Sequence, residues 1–322
     1  MYDSIRNVGD FLSPHWLSEA FPGKLKDLTK EWRERATNGK HSPLKGLSGA
    51  GGRFLAAKAA LPKPDRDGYA EAVTALHGLV LEALGFEPAP TVLETEQSQT
   101  PVSVPLLARA QSPSGEALHV LQAHPVDDPD DLFRTTDTDD PDGTDTTDAD
   151  NPDGTDPSLQ GLLLEPVTVR TGSTTASRVV EVAEVSRAVQ RLLLTEHAPR
   201  FVLVLAGGWL LLSDVERWNE GRYLAFDVDT ALSRKDDKAT GELAWLAGLT
   251  SADVLLPSEE GGSKLDEFSQ DSVKHAVSVS EDLRDGLRVS VELIANEVIA
   301  QRRRNGDPVE GIPELPRELT TQ

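Results

Sequence analysis

Along the first part of the chain Phe11, Leu12, Trp16, Leu17 and Phe21, then Leu25, Leu28 and Trp32, recur at spacings of three to five. That is the period of a helix with one apolar face, and Pro22-Gly23 predicts a break into two short amphipathic helices. The segment Gly46–Gly52 (GLSGAGG) reads as a flexible hinge. As a phosphate-cradling loop it lacks a preceding apolar strand and a following Lys-Ser or Lys-Thr. From Tyr69 to Leu84 the positions Ala72, Val73, Leu76, Leu79, Val80 and Leu84 keep helical period, and Gly85 stands where a left-handed cap is expected.

The pattern then turns strand-like. Val102–Ala108 and Ala117–Leu121, separated by Ser112-Pro-Ser-Gly115, predict a hairpin-like pair. Arg178–Leu194 begins with β-branched residues but ends with Val185, Val189, Leu192 and Leu193 at helical spacing, which predicts a helix. Phe201–Ala206 and Trp209–Leu212 are apolar runs joined by Gly207-Gly208, the signature of a tight hairpin in which both glycines are free to take positive φ. Tyr223–Asp229 alternates Leu224, Phe226 and Val228 against Ala225, Asp227 and Asp229, a third strand that completes a meander. On such a strand Asp227 and Asp229 share a face, suiting either a bound metal or a solvated surface. Near the carboxyl end Ser278 and Glu281 form a capping-box pattern. Leu283, Leu287, Ser290, Val291, Ile294 and Val298 follow as a core-facing stripe, and Arg302–Arg304 complement the dipole at the helix end. After Gly306 the polar, Pro-containing sequence reads as a linker toward a further element.

Charge changes this picture in two places. The 322 residues carry 54 acidic and 32 basic side chains, net −22, which excludes a protein that coats nucleic acid with its whole surface. Asp127–Asp156 alone holds 13 Asp and one Arg, so more than half of the net charge is one tract. That tract contains Pro-Asp-Gly-Thr-Asp twice. Its Asp density suits calcium, but the EF-hand spacing fails, and with almost nothing apolar to bury it reads as a disordered insert. Against this, Lys24–Lys58 has nine cations and three acids, net +6. Lys24, Lys26, Lys30, Arg33, Arg35, Lys40, Lys45, Arg53 and Lys58 are therefore candidate phosphate contacts. No cysteine is present, which removes thiolate catalysis and every Cys-containing metal site. The longest apolar run, Phe201–Leu212, is too short for a membrane span of about 20 residues, so a cytoplasmic protein with no membrane partner is expected.

Local motifs show no catalysis. The seven histidines include no zinc-protease pair, and neither a Gly-x-Ser-x-Gly elbow nor a nucleotide or dinucleotide Gly loop occurs. The runs Arg200–Asp214 (RFVLVLAGGWLLLSD) and Arg217–Asp229 (RWNEGRYLAFDVD), with Asn7–Ser13 (NVGDFLS), Lys274–Leu283 (KHAVSVSEDL) and Val291–Glu297 (VELIANE), carry a resemblance instead. They resemble the region ahead of the methyltransferase domain in single-chain type IIG restriction-modification enzymes, and above all in the adenine DNA methyltransferases of phage-defence systems such as DISARM and phage growth limitation.

The resemblance implies an α/β (α+β) fold of restriction-endonuclease type: a mixed sheet flanked by helices, followed by a helical connector. It divides the chain into a basic helical segment 1–66, a nuclease-like domain 67–235 with an acidic insert 127–158, and a connector 236–322 leading to a methyltransferase domain. A PD-(D/E)xK site uses acids to hold Mg²⁺ and a Lys to activate water. The matching position here is Gln122-Ala123-His124, where neutral Gln is a poor metal anchor and His lacks a permanent charge. A degenerate, inactive nuclease is therefore expected, with no catalytic or metal-binding residue, unless Glu94 or Glu96 substitutes. S-adenosylmethionine and the Asn-Pro-Pro-Tyr motif are implied only for a parent protein; Asn151-Pro152 lies in the acidic tract. The implied partners are double-stranded DNA and a methyltransferase domain or other defence-system subunits. A stand-alone acidic interaction module is the non-enzymatic alternative.

Overall fold

A computed structural model describes residues 2–97, 100–113, 115–133, 157–166, 180–181, 184–195, 198–258 and 261–306. In chain order the elements are β1 (Ile5–Val8), α1 (Pro14–Glu19), α2 (Phe21–Thr37), α3 (Pro43–Ala59), α4 (Tyr69–Leu84), β2 (Thr91–Gln97), β3 (Thr100–Leu106), β4 (Ala108–Ser112) and β5 (Gly115–Gln122). They continue with β6 (Val180–Glu181), α5 (Val185–Leu193), β7 (Phe201–Ala206), β8 (Trp209–Asp214), β9 (Tyr223–Asp227), α6 (Val228–Arg234), α7 (Glu242–Thr250), α8 (Ala252–Leu255) and α9 (Lys264–Asn305). No helix among the described residues is long and apolar enough to cross a membrane.

A mixed six-stranded sheet, β1-β9-β8-β7-β5-β4, divides the molecule; β5 and β7 run parallel and the other neighbours antiparallel. Both of its faces are covered, which is why its central strands are continuous apolar runs rather than alternating ones. Leu203, Leu205, Leu210, Leu212, Leu224 and Phe226 face a helical layer anchored by Trp16, Phe21, Trp32, Phe54 and Trp245. Val202, Val204, Leu211 and Ala225 face the other way, against α5, Leu132, and Val104 and Leu106 of the small sheet β2-β3-β6. The first of these two cores draws on residues from 1–66, 67–235 and 236–322 alike.

Several boundaries differ from the sequence expectation, each for a physical reason. The break between the first two helices falls at Ala20, and Pro22 lies in the first turn of α2, where its missing N–H is harmless. Gly46–Gly52 is no hinge but the middle of α3. A Cβ on Gly46 would clash with the Ala83 carbonyl oxygen, and one on Gly51 would sit 3.2 Å from that of Leu232, so these glycines let α3 approach α4 and α6. The turn after Ser112 is real, but it joins β4 to β5; Val102 lies on β3, which pairs with β2 in the second sheet. The segment before α5 contributes the short strand β6 rather than helix, and residues 167–179 lie outside the described residues. At the β7–β8 hairpin only Gly207 takes positive φ (65°).

The start of the acidic tract is ordered. Asp127–Phe133 packs on the body: Leu132 is fully buried, Arg6 pairs with Asp128 through two 3.0 Å contacts, and Tyr223 donates to Asp130 at 2.9 Å. Residues 134–156, which contain both Pro-Asp-Gly-Thr-Asp repeats and Asn151, lie outside the described residues, as does the tail 307–322.

The largest difference concerns the last helix. Ser278 and Glu281 are mid-helix, because α9 starts 15 residues earlier at a capping box made by Ser263 and Asp266. Gly261 and Gly262, both at positive φ, turn the chain into that cap, and no proline interrupts the 42 residues that follow. Leu265, Phe268, Ser269 and Ser272 are buried on the body, whereas every residue from Ser280 to Val291 is exposed. The stripe expected to face the core instead faces solvent, with Leu283 72% and Ile294 66% exposed.

Candidate functional site

Two places bear on the expectations from sequence: the end of β5, to which the resemblance matched a nuclease site, and the exposed cations of α2 and α3.

At the end of β5, Gln122 faces the helical layer and is 1% exposed. Its amide nitrogen donates to Thr74 Oγ1 at 3.0 Å, and its carbonyl oxygen lies 3.3 Å from His77 Nδ1. His77 Nε2 accepts the Gly207 backbone N–H at 2.8 Å. An acceptor at Nε2 forces the proton onto Nδ1, so the neutral tautomer donates to Gln122 and closes a chain of hydrogen bonds from α4 through β5 to the β7–β8 turn. Burial pushes His77 down to about 4, with the Gln122 hydrogen bond opposing, so the ring is neutral at ordinary pH. Position 122 is thus a structural joint.

His124, two residues on, stacks on Tyr69 with ring centroids 5.6 Å apart, its Nδ1 3.2 Å from the tyrosine hydroxyl. Glu94 and Glu96 lie on β2, in the three-stranded sheet rather than beside Gln122. Asp227 and Asp229 are not partners on a strand either. β9 ends at Asp227, whose carboxylate caps α6 by accepting the Thr230 N–H at 2.9 Å, while Asp229 pairs with Lys58. Among the described residues no group of three or more His, Asp or Glu is placed to hold a metal ion.

The nine cations divide into two sets. Lys24 pairs with Asp271 at 2.9 Å and tethers α2 to α9; Arg35 pairs with Asp253, which also accepts from Trp32 Nε1 at 2.8 Å; Lys58 pairs with Asp229. Asp253 holds the Arg35 guanidinium charged by hydrogen bonding against the opposing effect of burial. These three are committed to the fold. Lys26, Lys30, Arg33, Lys40, Lys45 and Arg53 are exposed, and among the described residues none makes an ion pair; Arg33 donates to the Asp237 carbonyl at 3.4 Å. Helical geometry sets Lys26, Lys30 and Arg33, at steps of four and three, on one face of α2. Lys40 lies in the α2–α3 connection and Lys45 in the first turn of α3.

Two open clefts flank the root of α9. One of ≈ 640 Å³ lies between Arg200, Arg217, Asp266 and Lys274; the other, of ≈ 500 Å³, lies between Asp10, Phe11, Arg222, Val277 and Arg284. Neither is lined by Gln122 or His124.

His77 is the residue with a defined role that carried no sequence expectation. A signal existed: it falls on the same helical face as Val73, Leu76, Val80 and Leu84, and a polar residue in an apolar stripe needs a partner inside. Compared with known proteins, the chain matches no family model, no curated protein and no solved structure.

Proposed function

We propose that this chain is the DNA-engaging region of a larger DNA-modifying protein and performs no nuclease chemistry of its own. The observation that carries this reading is the split among the cations. In a molecule of net charge −22, Lys26, Lys30 and Arg33 share an exposed face of α2, and Lys40, Lys45 and Arg53 are exposed on the connection and α3; none of the six makes an ion pair among the described residues. A solvated cation held near others favours a polyanion, because each phosphate contact releases a condensed counterion. The restriction-endonuclease-like ancestry of the sheet belongs to this proposal. It is supported by the helix-flanked mixed sheet and by the sequence resemblance, and the Gln122–His77 joint explains how such a sheet would survive the loss of its active site. Adenine methylation with S-adenosylmethionine, in a restriction-modification or phage-defence setting, belongs to the parent protein in this reading.

The test uses the full chain and a fluorescent duplex. Binding is expected at low salt, with K26A/K30A/R33A weakening it at least about tenfold. No cleavage is expected with Mg²⁺ or Mn²⁺. Equal affinity of variant and wild type would refute the assignment of the face; metal-dependent cleavage lost in E94Q or E96Q would establish the nuclease alternative.

A further inference from the structure

Two histidines meet where α1 packs against the root of α9. His15 Nδ1 lies 2.7 Å from His275 Nε2, the ring centroids are 4.8 Å apart, and the contact is exposed. Among the described residues neither ring hydrogen-bonds to any other side chain. Two nitrogens at this distance share one proton, so one ring donates and the other offers its lone pair.

The fold carries these rings to one point; their own hydrogen bond is not what brings them there. Trp16, next to His15, is buried, and its ring stands 5.8 Å from that of Phe268 on α9. The Ser13 N–H donates at 2.7 Å to the Oγ of Ser272, three residues before His275. Lys24 pairs at 2.9 Å with Asp271, one helical turn before His275. Residues on both sides of each histidine are therefore tied down, although the two lie 260 positions apart in the chain. Donor groups held together in advance bind a shared ion without the entropy cost of assembling them.

The donor type selects the ion. Imidazole nitrogen suits Zn²⁺, Cu²⁺ and Ni²⁺, whereas Ca²⁺ and Mg²⁺ take oxygen ligands. A tetrahedral ion about 2.0–2.1 Å from each nitrogen holds the two about 3.3 Å apart. The rings then open by roughly 0.6 Å from their 2.7 Å contact as the ion takes the place of the shared proton. Exposure of the pair gives the rings room for that swing and leaves the other coordination positions to water.

We propose that His15 and His275 form a two-histidine site for a divalent transition metal of the Zn²⁺–Cu²⁺ class, which clips α1 to the root of α9. The site does not depend on whether the chain binds DNA.

The test uses the full-length chain, which has no cysteine to compete for the metal, with excess Ca²⁺ present to occupy the acidic tract. In a calorimetric titration with Zn²⁺, H15A and H275A are each expected to raise the dissociation constant at least about tenfold. The double variant is expected to lose no more than either single one, because one missing ring already opens the clip. H41A, which removes a different exposed histidine, is expected to bind as wild type does. Thermal unfolding in EDTA reports that each variant is folded, and added Zn²⁺ is expected to raise the melting temperature of wild type and H41A but not of H15A or H275A. With one equivalent of Cu²⁺, electron paramagnetic resonance is expected to read two nitrogen ligands in wild type and one in either single variant. Equal Zn²⁺ affinity in wild type, H15A and H275A overturns the proposal, as does a wild-type Cu²⁺ spectrum with a single nitrogen; either result leaves the pair as a hydrogen bond only.

Discussion

Gln122, which the sequence resemblance matched to a metal-binding acid, is held on both ends of its amide inside the protein. Its two ends satisfy Thr74 and His77, and His77 in turn satisfies the Gly207 N–H, so Gln122 and His77 together close three hydrogen bonds in a dry interior. H77L leaves the Gly207 N–H and the Gln122 carbonyl without partners and is expected to cost about 1–3 kcal/mol for each group so stranded, measured by urea unfolding. The same ring gives stability a defined pH dependence. Its folded value, about 4, lies below the ordinary 6.5. The unfolded chain therefore binds the proton first, and this contribution is present above 6.5 and lost as pH falls toward 4. Wild type is expected to lose about 2–3 kcal/mol between about pH 6.5 and 4.5 through this group, a slope absent in H77L. Introducing an acid and a lysine as Q122E/H124K is expected to yield no Mg²⁺-dependent nicking and a lower melting temperature, because a buried carboxylate beside a neutral imidazole lacks a counter-charge. That Gln122 closes a strand was legible in the sequence. That it is a joint was not, because His77 and Gly207 lie far from it along the chain.

At the scale of elements, period was legible throughout and termination only in places such as the Gly85 cap of α4. α4 matches its apolar pattern from Tyr69 to the Gly85 cap, and β7 and β8 match their runs. The glycines of α3 misled because glycine signals flexibility locally, while here the packing partners Ala83 and Leu232 lie elsewhere in sequence. Two substitutions separate these roles. G46A places a Cβ against the backbone of Ala83 and is expected to destabilise by about 1–3 kcal/mol. G49A, with nothing within 4 Å of the added carbon, is expected to stabilise by about 0.5–1 kcal/mol through helix propensity. Thermal unfolding of the pair decides both. Ser278–Glu281 misled in a related way: a capping pattern sets a boundary only where the preceding residues leave the helix, and Lys264–Val277 do not. The stripe beyond it was read correctly as apolar but assigned to the wrong surface, since periodicity reports that a face exists and not what covers it.

The whole molecule is strongly acidic, with exposed cations on α2, α3 and their connection, and in the proposed reading that charge balance modulates DNA binding. Asp127–Phe133 is tied down by Arg6, Tyr223 and the burial of Leu132, so the removable part of the acidic tract is 135–156, which carries nine Asp. Deleting it reduces net negative charge without breaking those contacts. DNA affinity is expected to rise at low ionic strength, and the gain to vanish as salt shortens the Debye length to about 3 Å near 1 M. A deletion that leaves affinity unchanged at low salt would separate the tract from the DNA-facing side altogether. Beyond the β7–β8–β9 meander, the sheet order and the three-stranded companion sheet were not legible, because they depend on β1 pairing with β9, β5 with β7 and β3 with β6 across long stretches of chain. The cationic face was legible as composition, although Lys24, Arg35 and Lys58 turn out to brace the fold.

The most direct measurement is the salt dependence of duplex binding for wild type and K26A/K30A/R33A. If these side chains lie on phosphates, the slope of log affinity against log salt concentration is shallower in the variant by about 2–3, close to 0.9 for each contact removed. Parallel slopes, with or without a change in affinity, would contradict the account: they would show that the α2 face releases no counterions and that DNA, if bound, is held elsewhere.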